Sequence, residues 1–257
     1  MRYKAIRGTR DILPQTVNRW QYLEKVAREI FQKYGYEEVR TPIFEVTELF
    51  QRSIGEDTDI VTKEMYTFLD RKGRSLTLRP EGTAGVIRAV IENNLYRQQR
   101  ITRLYYLGPM YRYERPQKGR QREFYQIGAE LIGPDNPASD IEIVTLVCEF
   151  FDALGLKNVI LYLNSVGCPR CRAGYRESLK EYFKDKIKMM CPDCQRRYSL
   201  NPMRILDCKE KEDQAYIKSS PVILDYLCKD CQAQFERVKE YLDFLKIDYS
   251  LDPYMVR

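Results

Sequence analysis

The stretch from Tyr111 to Glu130 constrains this chain more tightly than any other, because it reads as two alternating strands joined by a cationic loop. Arg112 and Glu114 stand two positions apart, which puts them on one face of an extended strand. Beyond the loop, Gln126, Gly128 and Glu130 share one face, while Tyr125, Ile127 and Ala129 take the other. The connection from Arg115 to Arg122 carries four cations and one glycine. Such a hairpin is poorly suited to filling a core, where unpaired charge is costly. It is well suited to holding an anionic group beside a cationic one.

The rest of the chain is compatible with such a site in a globular protein. At 257 residues it is long enough for one large domain or two smaller ones. A 44% hydrophobic and 31% charged composition excludes a disordered chain. No apolar run is long enough to span a bilayer and no signal segment follows Met1, so a cytoplasmic protein without a membrane part is expected. The net charge of +6 suits phosphate or nucleic-acid ligands without demanding them. The chain contains no histidine, which removes the commonest general base and the commonest metal ligand. Its chemistry must run on Arg, Lys, carboxylates, Cys, Tyr or the substrate's own groups.

Periodicity predicts a helix over 17–34, with Trp20, Leu23, Ala27, Ile30, Phe31 and Tyr34 on its buried stripe and Gly35 as its stop. Residues 36–41 alternate and end at Pro42, which suits a strand edge. A second helix is expected over 84–94, strands over 103–113 and 123–132, a strongly apolar helix over 140–154 and a strand over 159–164. Composition shifts at Gly167: from Cys168 to about Leu245 the pattern is helical, charges cluster, and seven of the eight cysteines occur. Extended character returns at Ile247. The expected class is α+β: a core over 1–167, an inserted, mostly helical, cysteine-containing module over 168–245, and a return to the core over 246–257.

Cys168-Pro-Arg-Cys171 and Cys191-Pro-Asp-Cys194 are C-x-x-C pairs separated by 19 residues, a spacing that fits a four-cysteine structural zinc site. Cys228 and Cys231 form a third pair and Cys208 stands alone. Reduced structural thiols or disulfides are the alternatives.

Arg7-Gly8-Thr9-Arg10-Asp11, Leu78-Arg79-Pro80-Glu81-Gly82-Thr83 and the hairpin together resemble histidyl-tRNA synthetases, which are class II aminoacyl-tRNA synthetases. Met255-Val256-Arg257 resembles the start of that family's histidine-specific motif. The resemblance implies an antiparallel sheet core flanked by helices, usually in a homodimer. It also implies formation of histidyl-adenylate from L-histidine and ATP with Mg2+, followed by transfer to tRNA(His). It further implies segments after Arg257, among them pocket tyrosines, a second ATP-binding arginine motif and an anticodon-binding domain, and so a C-terminally truncated chain. Pro42 resembles the class II dimerisation motif, with an ordinary strand-ending proline as the alternative.

By the same resemblance, Arg112 holds the α-phosphate and the substrate carboxylate, and Arg257 approaches that phosphate from the opposite side. Glu114 reads the adenine amino group, and Arg120 contacts the β- and γ-phosphates. Glu81 takes the α-ammonium group with Thr83 and Gln126 as partners, and Glu130 takes the imidazole. Residue chemistry alone also allows an Arg112–Glu114 ion pair, a helix cap at Thr83 with Glu81 favoured by the helix dipole, and an arginine partner for Glu130. Tyr113 and Tyr125, where the family often has histidine, are expected to face away from the ligand. The resemblance sets the cysteine module against the tRNA acceptor stem, with Lys180, Lys184, Lys186, Lys188, Arg196 and Arg197 as phosphate contacts; a solvated helix face is the alternative. Adenylate formation suits a chain without histidine, because the attacking carboxylate is already ionised and needs no base. A catalytically inert, synthetase-like regulatory paralogue and a folded fragment with little turnover are the two other readings.

Overall fold

A computed structural model describes residues 3–55, 58–133 and 135–256. The chain divides into two compact units, Met1–Asp135 with Glu142–Lys157, and Asn136–Ile141 with Asn158–Arg257. Both mix helices and strands, so the fold is α+β as expected.

In the first unit, helix α1 (Pro14–Lys33) opens with proline at its first turn, where the missing N–H costs nothing. It ends as anticipated at Gly35, whose φ of 73° lets the Tyr36 amide reach back 2.9 Å to the Phe31 carbonyl. The short strand β1 (Glu37–Glu38) follows, then β2 (Phe44–Val46), α2 (Thr47–Ile54), a π-helical turn at Ile60–Glu64, β3 (Thr67–Leu69) and β4 (Ser75–Leu78). Helices α3 (Thr83–Glu92) and α4 (Leu95–Gln98) precede the long hairpin β5 (Thr102–Tyr111) and β6 (Glu123–Ile132), after which comes α5 (Pro137–Ala153).

The hairpin is antiparallel in a continuous register from Thr102↔Ile132 to Tyr111↔Glu123. Strand β1 joins it in parallel through Glu37↔Leu104. Strands β2, β4 and β3 form a second, antiparallel sheet. Periodicity does not signal that sheet, because strands of three or four residues are too short to alternate visibly.

The hairpin's two faces do different work. Tyr105, Leu107, Ile127 and Ala129 pack against Val26, Ala27, Ile30 and Phe31 of α1 and against Leu146 and Phe150 of α5. Tyr125 lies on this side, its ring 4.7 Å from that of Trp20. On the other face Leu104 and Tyr106 pack with Val86 and Val90 of α3. That packing brings the start of α3 onto the face that carries Gln126, Gly128 and Glu130.

In the second unit, β7 (Leu161–Leu163) pairs in parallel with β8 (Tyr249–Leu251), so the segments before and after the helical stretch are held side by side. Between them lie α6 (Pro169–Phe183), α7 (Pro192–Leu200), α8 (Lys211–Ile217) and α9 (Lys229–Phe244), with 3₁₀ turns at Ile187–Met189, Pro202–Asp207 and Ile223–Tyr226. Their core contains Tyr175, Leu179, Phe183, Ile205, Ile217 and Ile223.

Candidate functional site

The start of α3 and the middle of β6 converge on one polar cluster. Glu81 caps the helix: its carboxylate accepts the Thr83 N–H at 2.6 Å and the Ala84 N–H at 2.9 Å. The cap is therefore Glu81 and not Thr83. The Thr83 hydroxyl, freed from capping, donates to Glu130 Oε1 at 2.7 Å. Burial raises the Glu130 carboxyl above its ordinary range, against the Thr83 hydrogen bond and with the help of the nearby Glu81 charge. No cation pairs with Glu130 among the described residues, so the alternative of an arginine partner is not met, and the donor it has is the Thr83 hydroxyl. Gln126 lies four residues away on the same face, and its Oε1 is buried without a hydrogen-bond partner. A carboxylate without a cationic partner and an orphaned carbonyl on one face are costly as structure. Both are acceptors for a cationic, N–H-rich group.

Tyr106, which the sequence did not single out, organises this face. It sits directly across from Gly128 in the register. A Cβ built on Gly128 would lie 2.2 Å from its ring, and one on Gly82 would also lie 2.2 Å from it. The two glycines thus make the slot for one tyrosine, between the helix start and the strand. Burial pushes the Tyr106 phenol up to about 12, with a Thr83 hydrogen bond acting in the opposite sense. The sequence signal was present in Gly82 and Gly128, but only the strand register identifies the side chain that fills the space.

Arg112 lies just past the end of β5, not within the strand. Its amide continues the ladder to the Arg122 carbonyl at 2.9 Å. The Glu114 amide then folds back to the Arg112 carbonyl at 2.8 Å, a three-residue turn. Arg112 and Glu114 therefore do not alternate along one extended strand, and the expected shared face gives way to a turn. Arg112 donates from Nε to the Pro80 carbonyl, the residue before Glu81, at 2.9 Å, and its guanidinium lies 5.0 Å from the centre of the Phe124 ring. That fixes its stem, while the Nη groups carry the remaining donors of the fork. Glu114 meets Arg120 at 3.5 Å, so the ion pair forms with the loop arginine and not with Arg112.

Glu64 was also missed. Burial raises its carboxyl, with the Glu114 charge adding and Arg112 opposing, which puts it in the same electrostatic neighbourhood. It comes from the π-helical turn, and its carbonyl accepts the Tyr113 amide at 2.7 Å. The loop is more built than its composition suggests. Gln117 and Arg120 exchange backbone hydrogen bonds at 3.1 and 3.0 Å around Lys118 and Gly119. The Gly8 carbonyl accepts the Arg122 and Glu123 amides at 2.7 and 3.1 Å. A Cβ on Gly8, at φ 92°, would lie 2.8 Å from the Arg122 side chain. The Arg7–Asp11 motif thus anchors the cationic loop. Arg79 is structural: it donates to the Pro109 and Thr41 carbonyls at 2.9 and 3.0 Å. Arg257 lies outside the described residues.

The structure does not gather Cys168, Cys171, Cys191 and Cys194. It splits them. Cys168 and Cys171 meet Cys228 and Cys231, whereas Cys191 and Cys194 meet Cys208 and Asp213. Sequence spacing builds each C-x-x-C pair at a helix start, but the packing of the helices decides which pairs meet. Of the basic residues in this unit, Lys180 pairs with Glu177, Lys184 with Glu181 and Arg196 with Asp193. Among the described residues no helix is long and apolar enough to cross a membrane.

The family profile described as histidyl-tRNA synthetase matches residues 8–173. Over its full length the chain is 55% identical to the histidine–tRNA ligase of Halothermothrix orenii, and over 99% of it 56% identical to that of Solibacter usitatus. It spans 61% of the length of each of these relatives. The crystal structure of apo S. aureus histidyl-tRNA synthetase superposes with a TM-score of 0.78 at 41% identity, covering 99% of this chain and 58% of that one. The motifs at Gly8, Glu81 and the β5–β6 hairpin all fall inside the matched span, and the chain belongs to the histidyl-tRNA synthetase family.

Proposed function

We propose that this chain carries the histidine-activating site of a histidine–tRNA ligase, joining L-histidine to ATP as histidyl-adenylate before transfer to tRNA(His). The observation that carries the reading is the pairing of unmet acceptors with a braced arginine. Glu130 has no cation partner among the described residues, Gln126 Oε1 is buried and unbonded, and Arg112 is tied by Nε to the residue preceding Glu81.

In this reading Glu130 accepts an imidazole N–H. Glu81, Thr83 and Gln126 receive the α-ammonium group, since a carboxylate that accepts two backbone N–H groups still has free lone pairs. The substrate carboxylate attacks the α-phosphorus and pyrophosphate leaves. Arg112 lies over the charge that develops there, with Arg257 as the opposing cation. Glu114 receives the adenine amino group, Arg120 leaves its ion pair for the β- and γ-phosphates, and Mg2+ enters as the ATP complex. A side chain without the imidazole donor leaves Glu130 with the Thr83 hydroxyl alone and no second donor, which is a basis for selecting histidine. Exposed Ile43 and Phe44, which follow Pro42 in the chain, favour a homodimer, and the basic helices of the second unit are assigned to the tRNA acceptor stem. The site of action is assigned to the cytoplasm.

Histidine-dependent ATP–pyrophosphate exchange tests the assignment. Arg112→Ala should lower kcat by about 10²–10³-fold. Exchange that Arg112→Ala leaves untouched, or that any amino acid supports equally, refutes it.

A further inference from the structure

We infer that the second unit holds two separate structural sites for a soft, tetrahedral divalent ion such as Zn2+: Cys168, Cys171, Cys228 and Cys231 in one, and Cys191, Cys194, Cys208 and Asp213 in the other. In each group the four candidate ligand atoms lie within 4.8 Å of one another. Ligands at about 2.3 Å from a zinc ion stand about 3.8 Å apart at tetrahedral angles. Cys168 and Cys171 sulfurs are 3.5 Å apart, Cys191 and Cys208 sulfurs 3.8 Å, and Cys208 Sγ lies 3.2 Å from Asp213 Oδ2. All seven of these cysteines are free thiols.

The backbone supports the ligands. Cys168, Cys191 and Cys228 are the N-cap residues of α6, α7 and α9, so each C-x-x-C pair spans the first turn of a helix and its two sulfurs are held by one rigid turn. The Cys228 amide donates to Cys171 Sγ at 3.1 Å, tying the two halves of the first site together. Gly167, at φ 60°, precedes that site, and a Cβ there would stand 2.7 Å from the Cys171 Cβ. In the second site Asp213 is only 2% exposed, and the Cys191 amide donates to its two oxygens at 3.3 and 3.2 Å. No Lys or Arg pairs with it among the described residues. A carboxylate that is buried among thiols and lacks a cationic side chain is where a bound cation belongs.

The two sites have different ligand sets, which makes them separable. Protein carrying the full chain, purified without chelator and analysed for metal, should contain two zinc ions per chain. Cys228→Ser with Cys231→Ser should remove one ion, and Cys208→Ser with Asp213→Asn the other, while Cys148→Ser, in the first unit, keeps both. Refilling wild-type protein with Co2+ needs no variant to fold. Its spectrum should show thiolate-to-cobalt charge transfer from two tetrahedral ions, of which the all-sulfur site contributes more. Absence of metal with all eight thiols freely titratable overturns the proposal, as does consumption of the thiols as disulfides. Loss of all metal from either double variant overturns the separation into two sites.

Discussion

On the hairpin face, Glu81, Thr83 and Glu130 come from a helix start and a strand and hold each other through direct hydrogen bonds of 2.6–2.7 Å. In the second unit, Cys191, Cys208 and Asp213 also converge from separate elements, with contacts of 3.2–3.8 Å that leave room for an ion at the centre. The first arrangement is closed around its own helix cap and open toward a ligand at Gln126 and Glu130. The second has its chemistry pointed inward. Unmet polar groups therefore have two meanings. Acceptors spread along one sheet face suit a substrate that comes and goes, whereas four donors around one point suit an ion that stays.

The largest expected effect tests the second region. Stripping bound metal should lower the stability of that unit by about 4 kcal/mol for each site emptied, relative to protein with free zinc a thousandfold above Kd, read as a shift in its thermal transition. An unchanged transition would remove the contrast altogether. Gly128→Ala should destabilise the first unit by about 3 kcal/mol, because the new methyl would meet the Tyr106 ring at 2.2 Å. Combining it with Tyr106→Ala should recover part of the loss in thermal melts; equal destabilisation in the double variant argues that the slot is not the cause. Glu81→Ala removes the α3 cap and should cost about 1 kcal/mol, together with a weaker affinity for histidine by isothermal titration.

The smallest effect is a pH dependence at Glu130. Its carboxyl is raised by burial, so the folded state holds that proton more tightly than the unfolded chain. The stabilising contribution is present at low pH and is lost as pH rises through the raised value. Melting temperatures of Glu130→Gln and wild type should therefore diverge in favour of the variant as pH climbs above the ordinary glutamate range of about 4.3, then run parallel. Parallel curves throughout would show that Glu130 is already compensated. The same variant should lose histidine affinity, which separates a residue kept for binding from one kept for stability.

How far each part could be read from the chain follows from the range of the interaction. The alternation of Gln126, Gly128 and Glu130 was legible because side-chain direction along a strand repeats every two residues. The helix at Thr83–Glu92 was legible from its apolar spacing, though the identity of its cap was not, since Glu81 and Thr83 are both plausible caps and only the position of Glu130 draws the hydroxyl away. The shared face of Arg112 and Glu114 failed because a backbone turn at Tyr113 interrupts the extended chain.

Local pattern was enough to place α1, α3, α5, the paired strands β5 and β6 and the three C-x-x-C pairs, because each depends on residues a few positions apart. The pairing of Tyr106 with Gly82 and Gly128, the Glu114–Arg120 ion pair and the sorting of eight ligands into two groups depended on packing. These contacts join residues separated by loops or whole helices, and nothing in their spacing distinguishes the partner that is met from the one that is not.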